Sequence, residues 1–420
     1  MTQNHATRQL DSDALALALA PAEERAERAR ALRAAAEAMG VWPASIAPVY
    51  DALATRRLAP MTVPAMNLRG LTYPVARAAW RAALRLDAAP LLFELAPVEA
   101  TVGDQPLAEY GAMVLAAAAR EGHRGPVFLQ ADHVEVADDT PAARERAREM
   151  CREAWDAGFR QIDIDAAALA LREGDPATRL AANAAATADL VAFVRTIDPE
   201  VVVGGEVDEI GGANTTVEEL RAFLDGVRAN LGAGPARLGK VSVQTGTRHG
   251  GVVMADGRIG VMDVDFVAAA ELACVATDEY GLPGIVQHGA STLTTDQWAR
   301  LPAAGVHEVH LAAGIQNVVM DDPAMPTALT ARMRATLGKP MTRAEHGPDD
   351  AGHEPLSAEQ LWIENRWHAW GMFKADLWTL PEPVLAELGV SAQAWFERAF
   401  AALGIAGRAE DVARLWPTSR

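Results

Sequence analysis

From about residue 60 onward, hydrophobic and polar positions follow one another along the chain in a repeating order. A short run of apolar or β-branched residues comes first, then a polar corner, then an alanine-rich amphipathic stretch. Short apolar runs between turn residues predict buried strands, and the longer amphipathic stretches predict helices. The predicted strands are Thr62–Asn67, Pro90–Leu95, Val127–Ala131, Gln161–Asp165, Val201–Gly205, Lys240–Gln244, Gly284–Gln287 and Val306–Leu311. The predicted helices include Ala143–Ala157, Thr178–Ile197, Thr216–Leu231, Val264–Glu279 and Thr295–Ala304.

Strands that alternate with helices indicate a parallel sheet with helical crossovers. An open doubly wound sheet and a closed barrel share this pattern, and the count of eight strands favours the closed (β/α)8 barrel, the TIM-barrel fold. The sequence has no G-x-G-x-x-G turn and no P-loop, which weakens the alternative of a nucleotide-binding open sheet. The prediction is therefore an α/β protein with a barrel over residues 60–339.

The two ends of the chain differ from this repeat. Residues 1–59 are rich in Ala, Leu, Arg and Glu, and the run 11–58 predicts a helical segment that caps the barrel. Residues 340–420 hold six of the ten tryptophans and predict a helical extension, with the Pro- and Asp-rich stretch Glu345–Pro355 as a loop or linker. Aromatic helices outside a barrel usually cover its helical ring or a subunit interface, and we expect that role rather than direct contact with substrate.

Composition narrows the class of protein. The 420 residues are 50% hydrophobic and 22% charged, which suits a large buried core and excludes a disordered chain. The net charge of −18 disfavours nucleic acid and anionic membranes as partners. Cys151 and Cys274 cannot form a disulfide framework, the first residues show no signal-peptide pattern, and no segment approaches the apolar length that crosses a bilayer. We therefore expect a cytoplasmic protein.

Polar residues at the C-terminal ends of the strands are the candidates for chemistry, because (β/α)8 barrels carry their active sites there. Such residues lie at the ends of five successive strands: the third ends in Asp132 and His133, the fourth in Asp165, the fifth in Glu206 and the seventh in His288, and His249 comes just past the sixth. Three histidines and several carboxylates at one rim predict a divalent-metal site, and imidazole is a good zinc ligand. Three protein ligands leave one coordination position open for substrate.

Other polar groups and glycines accompany these histidines. Glycines beside His249 and His288 either let backbone N–H groups approach an anion or form ordinary tight turns. Arg248 is either an anion clamp or a surface arginine. His310, within the eighth strand, can reach the same site. The candidate substrate-binding residues are Asn67, Arg248, Gly250, Gly289, Ser291 and His310.

Six segments, in order over about residues 60–320, resemble those of the class II fructose-bisphosphate aldolases. They are Thr62-Val-Pro-Ala-Met-Asn, Leu129-Gln-Ala-Asp-His, Gly158-Phe-Arg-Gln-Ile-Asp-Ile-Asp, Glu206-Val-Asp-Glu-Ile-Gly-Gly, Gly246-Thr-Arg-His-Gly and Gln287-His-Gly-Ala-Ser. Six ordered matches are far more specific than any one of them.

The resemblance implies a zinc-dependent carbon–carbon lyase of carbohydrate metabolism. The implied ligands of one catalytic zinc are His133, His249 and His288. Asp132 would handle the hydroxyl proton at the bond being cleaved, while Asp165 and Glu206 would hold a possible second divalent metal or support the zinc ligands. A metal that polarises the carbonyl stabilises the enediolate left by cleavage, so no lysine Schiff base is required. Lys240 opens the sixth strand, at the end opposite this chemistry.

Two stretches depart from the family pattern. Where the family has an acidic loop after its Gly-Gly pair, this chain has Ala213-Asn-Thr-Thr, and neither Glu209 nor Glu218 matches an acidic position. After the eighth strand, His310-Leu-Ala-Ala-Gly replaces a phosphate-binding run. We therefore expect a sugar phosphate or related hydroxy-carbonyl substrate other than fructose 1,6-bisphosphate.

Three alternatives remain open from the sequence. They are a metal-dependent epimerase, a metal-dependent hydrolase on the same barrel, and a non-catalytic aldolase-like subunit. The aromatic extension favours a homo-oligomer, a dimer or larger.

Overall fold

Eight parallel strands close into a barrel in the computed structural model, which describes residues 2–208, 212–234, 236–248, 250–339 and 356–416. The strands are β1 (Val63–Asn67), β2 (Leu92–Leu95), β3 (Gly125–Glu135), β4 (Gln161–Asp165), β5 (Val202–Glu206), β6 (Lys240–Val243), β7 (Ile285–Gln287) and β8 (Val306–Leu311). Each strand pairs with the next, and β8 pairs with β1, so the sheet has no open edge. The predicted (β/α)8 TIM barrel and all eight of its strands are confirmed.

Helices connect the strands and surround the barrel. In chain order they are α1 (Thr2–Ala18), α2 (Ala22–Ala38), α3 (Ala47–Ala54), α4 (Thr72–Leu86), α5 (Pro97–Val102), α6 (Leu107–Glu121), α7 (Pro141–Asp156), α8 (Pro176–Ile197), α9 (Val217–Leu231), α10 (Phe266–Asp278), α11 (Thr295–Arg300), α12 (Ala313–Met320), α13 (Thr327–Leu337), α14 (Ala358–Asn365), α15 (Ala369–Met372), α16 (Lys374–Trp378), α17 (Glu382–Ala402) and α18 (Ala409–Ala413). Side-chain caps fix several starts: Thr216 and Glu219 form a capping box at α9, and Asp265 caps α10. The predicted helix Thr295–Ala304 is shorter than expected because it ends at Arg300.

Helix α8 corrects one expectation about membranes. By length and composition alone it could cross a bilayer, whereas no segment of the sequence was expected to reach that length. In the fold it is the crossover between β4 and β5, it packs against α9, and half of its most apolar window is buried. Its apolar composition is therefore accounted for by packing within the barrel's helical ring.

The N-terminal segment contains an unpredicted strand. Residues 11–58 were expected to be helical, but Val41–Pro43 is extended and pairs with Gly125–Val127 at the start of β3. The pairing of β3 with β2 starts only at Phe128. The first residues of β3, from Gly125, are therefore available to pair with Val41–Pro43. Helices α1 and α2 pack against α6 on the side of the barrel.

Helix α3 closes the N-terminal end of the barrel. The hydroxyl of Tyr50 donates a hydrogen bond to the buried Glu308, and the backbone N–H of Ile46 donates to the side chain of Gln161 at 3.0 Å. The Tyr50 ring also meets the ring of His307 edge-on, with centroids 4.9 Å apart. Side chains of the N-terminal segment thus form the floor of the barrel interior.

A charged network occupies the centre of the barrel. The ammonium of Lys240 donates to Gln130 at 2.6 Å, to Asp163 at 2.8 Å and to Glu308. All four side chains are buried. Carboxylates inside the barrel bind the amine, so Lys240 is a structural cation. Glu308 connects this network to the site through a hydrogen bond of 2.8 Å with Nε2 of His310.

The C-terminal extension wraps the outside of the barrel and reaches its mouth. Helix α17 lies against α4, α11 and α12, where it covers part of the helical ring. The predicted loop Glu345–Pro355, with the rest of residues 340–355, lies outside the described residues.

Candidate active site

A bulge at the end of β3 places two neighbouring side chains in the same cavity. The pairing of β3 with β4 shifts register between Ala131 and Val134, and His133 between them has a φ of 46°. Successive side chains of a regular strand point to opposite faces, whereas a bulge re-aims them. As a result Asp132 and His133 both line the barrel mouth.

Carboxylates from the next two strands surround His133. Its Nδ1–H donates to Asp165 at 3.1 Å, and Nδ1 lies 3.4 Å from Glu206. Its Nε2 lies 3.6 Å from Oδ2 of Asp132. A carboxylate behind an imidazole fixes the tautomer and orientation of a metal-ligating histidine, and Asp165 is placed for that role.

His288 joins His133 from the other side of the mouth. The two rings lie 4.9 Å apart, and His288 Nε2 shares a hydrogen bond of 3.0 Å with the hydroxyl of Ser242. One ligand atom each from Asp132, His133 and His288 lies within 4.8 Å of the others. Two imidazoles and a carboxylate are a donor set that suits zinc.

A second group shares His133 with Asp165 and Glu206 and meets the same distance limit. These are the residues predicted for a second metal or for supporting the first. The third predicted zinc ligand, His249, lies outside the described residues, as does Glu209, so the structure says nothing of either.

His310 extends the site toward β2. Its Nδ1 lies 3.0 Å from Glu94 and 3.3 Å from Asp132, and its ring centroid is 3.9 Å from that of His288. His310 was predicted from the sequence to reach the site, whereas Glu94 was not predicted. A single acidic residue in an apolar strand gives no signal until its neighbours across the barrel are known.

Burial and charge set the protonation of the carboxylates. Burial acts to raise the pKa of Asp132, but the facing imidazoles of His133 and His310 hold that pKa well below its usual range. Burial raises the pKa of Glu206 to about 7, with His133 acting in the opposite direction. The imidazoles of His133 and His310 therefore favour the ionised form of the Asp132 carboxyl.

The cavity at the mouth has a volume of about 970 Å³. It includes all the described residues predicted for substrate binding: Asn67, Arg248, Gly250, Gly289, Ser291 and His310. Arg248 is exposed at its edge, the Ser291 hydroxyl accepts from the backbone N–H of Gly314 at 3.0 Å, and Asn67 donates to Glu99.

The described lining of the cavity is strongly acidic. Seven carboxylates face it: Glu94, Glu99, Asp132, Glu135, Asp165, Glu206 and Glu364. Two arginines oppose them, Arg69 and Arg248, and Arg69 is already ion-paired with Glu99. Sequence reasoning missed Arg69, Glu99 and the residues of the C-terminal extension that line the cavity, because only tertiary packing brings them there.

Gly289 permits a close approach between two loops of the site. Its φ is 66°, and an added Cβ would lie 2.7 Å from the backbone carbonyl of Arg248. We expect Gly289→Ala to displace the loop after β6 and so distort the candidate metal site, with a loss of stability of about 1–3 kcal/mol beyond the backbone cost. Unfolding in urea and metal content measure the two effects.

Gly281→Ala is the matched control, because Gly281 has a φ of 69° and an added Cβ meets no described atom within 4 Å. It should cost only the left-handed strain of about 1 kcal/mol. Equal effects of the two substitutions would contradict the loop contact.

The family model for class II fructose-bisphosphate aldolase matches residues 49–346. This match contains every strand of the barrel. No curated protein matches the chain.

Solved structures share the fold at low sequence identity. A probable tagatose 6 phosphate kinase from Sinorhizobium meliloti 1021 has 18% identity and a TM-score of 0.57, over 81% of this chain and 100% of that chain. The fructose-bisphosphate aldolase of Campylobacter jejuni has 15% identity and a TM-score of 0.52, over 87% and 96%. The fructuronate-tagaturonate epimerase UxaE of Cohnella laeviribosi has 13% identity and a TM-score of 0.52, over 92% and 85%. At these identities the likeness shows the fold alone.

Proposed function

The chain belongs to the class II fructose-bisphosphate aldolase family, and we propose that it is a zinc-dependent lyase that cleaves or forms an aldol bond in a hydroxy-carbonyl compound. The observation that carries the proposal is the position of Asp132. The Asp132 carboxylate lies 3.6 Å from His133, and one of its oxygens lies within 4.8 Å of a ring nitrogen of His288, in a cavity large enough for a sugar-sized molecule.

In the proposed reaction Asp132 accepts the proton of the substrate hydroxyl next to the bond that breaks. His133 and His288, together with His249 as the family resemblance implies, would hold the zinc. When bound, zinc acts as a Lewis acid toward the carbonyl oxygen of the substrate. Asp165 orients His133 through its hydrogen bond at Nδ1.

The proposed substrate differs from fructose 1,6-bisphosphate. The phosphate-binding run of the family is absent after β8, and Ala312 and Ala313 line the cavity there. Of the two arginines in the described lining, Arg69 already has a carboxylate partner, which leaves Arg248 as the guanidinium available to a phosphate. A sugar phosphate with one phosphate, or a related hydroxy-carbonyl compound, fits this balance better.

Epimerisation is a second candidate. The epimerase UxaE shares the fold over 92% of this chain. An epimerase would keep the metal and Asp132 but return an isomer of unchanged mass.

Metal content and product mass test both candidates. Protein purified without chelator should contain about one zinc per chain, and incubation with a panel of hydroxy-carbonyl compounds should give two fragments by mass spectrometry. An isomer of the starting mass would support the epimerase instead. Absence of metal, or metal without any reaction across the panel, would reject the lyase and favour a non-catalytic subunit.

We also propose that the protein is cytoplasmic and that it assembles into a homo-oligomer. Light scattering on the purified chain tests the assembly.

A further inference from the structure

The first part of the C-terminal extension lines the active-site cavity. Residues 356–368 lie beyond the matched family region, which ends at residue 346. Their cavity-lining side chains include Gln360, Ile363, Glu364, Trp367 and His368. A segment outside the family pattern therefore forms one wall of the site.

One end of this wall is fastened to the hairpin that follows β6. The hairpin pairs Val252–Val253 with Ile259–Gly260. Ser357 donates through its hydroxyl to the carbonyl of Ala255 at 2.7 Å, and Gln360 donates to the carbonyl of Val253 at 3.1 Å. The hairpin itself contributes Val252, Val253 and Ile259 to the cavity, so wall and hairpin form one surface.

The other end is fastened to α12, directly after β8. The guanidinium of Arg366 is buried and donates to Asp321 at 2.7 Å and to Asn317 at 2.6 Å. Because the Arg366 guanidinium is buried, loss of these partners would be costly, and the contact connects this end of the wall to α12. The indole N–H of Trp370 adds a bond of 3.0 Å to Gln316 on the same helix.

Tryptophans that follow the wall pack closely against the residues after β1. The ring of Trp370 lies where a Cβ on Gly70 would be, at 2.1 Å, and the Trp378 indole donates to the carbonyl of Gly70 at 3.1 Å. The guanidinium of Arg69 lies 5.9 Å from the ring centroid of Trp367. Trp367 thus lies above the Arg69–Glu99 ion pair, at the β1–β2 side of the cavity.

We propose that residues 356–368 form a substrate-recognition wall, in which Trp367 and His368 contact the part of a polyhydroxylated carbonyl substrate away from the bond that reacts. The proposal rests on the proposed function for the reacting end of the site. A half-buried indole presents an apolar face and a polar edge, which suits a ligand with both C–H and O–H groups.

The same wall restricts the charge of the substrate. It adds Glu364 to six other carboxylates of the cavity, while Arg69, the cation beneath Trp367, already has a carboxylate partner. Glu364 therefore disfavours a second anionic group on the part of the substrate that lies at the wall.

The test uses the full, zinc-loaded chain and calorimetric binding of neutral, singly phosphorylated and doubly phosphorylated ketoses. The wild-type protein should bind the neutral and singly phosphorylated probes more tightly than the doubly phosphorylated one. Trp367→Leu should weaken binding of the preferred probe about tenfold, and raise KM with kcat changed less than about twofold. Trp42→Leu, the same change on an exposed residue of the N-terminal strand, should leave both unchanged.

Glu364→Gln is a second test variant. Glu364 is exposed, so the effect of this substitution on binding does not depend on core packing. It should tighten binding of the singly phosphorylated probe relative to the neutral probe, and added salt should reduce that difference.

The proposal is wrong if Trp367→Leu binds the preferred probe with wild-type affinity. It is also wrong if the wild type prefers the doubly phosphorylated probe. Because calorimetric binding does not require turnover, this outcome is separate from failure of the lyase proposal, which shows as absence of cleavage while probe binding still depends on Trp367.

Discussion

Asp132→Asn is expected to lower kcat by about 10²–10⁴-fold while zinc stays bound. An asparagine amide keeps the shape of the side chain but cannot accept the proton of the substrate hydroxyl. The substitution also removes the negative charge that lies 3.3 Å from His310 and 3.6 Å from His133. Steady-state kinetics and metal analysis of the same preparation measure the two quantities.

Asp296→Asn provides the control, because Asp296 is exposed in the first turn of α11, away from the cavity lining. It should match the wild type in both measurements. Near-normal turnover by Asp132→Asn would show that Asp132 is not the proton acceptor. Loss of zinc in that variant would indicate that Asp132 is a zinc ligand instead.

Lys240→Met is expected to lower the free energy of unfolding by about 3–5 kcal/mol. The ammonium lies between the buried carboxylates of Asp163 and Glu308. Burial acts to raise the pKa of Glu308, but Lys240 and His310 hold it well below its usual range, so the ionised form depends on these partners. Removing the ammonium leaves buried negative charge without its cation.

Urea unfolding measures this loss, with Lys339→Met on an exposed lysine as the matched control. The double variant Lys240→Met/Glu308→Gln should recover part of the stability, because it removes one of the two charges. If Lys240→Met unfolds within about 1 kcal/mol of the wild type, the ammonium does not hold the network together.

The positions of the strands could be predicted because apolar runs and turn residues are local signals. Asp132, His133, Asp165, Glu206 and His288, which line the cavity, could be proposed from the same signals, since each lies at the end of a predicted strand. That Asp132 and His133 share one cavity could not be predicted, because it depends on the bulge, which is a feature of the pairing with β4.

Residues that act across the barrel gave no such signal. Glu94 is a single acidic residue in an apolar strand, Asp163 lies in the middle of its strand, and their partners His310 and Lys240 lie far away in sequence. The strand Val41–Pro43 is only three residues long and depends on a partner in β3. The wall formed by residues 356–368 was missed because aromatic composition favoured a covering role, which helix α17 performs.

The floor formed by Tyr50 has a consequence for where the catalytic unit begins. The Tyr50 hydroxyl donates a hydrogen bond to Glu308, and Glu308 also contacts Lys240 and His310. A shortened chain that started at residue 60 would keep all eight strands, yet water could enter beneath the charged centre and compete for its hydrogen bonds. The smallest unit that preserves the site therefore starts before α3, ahead of the first residue of the barrel itself.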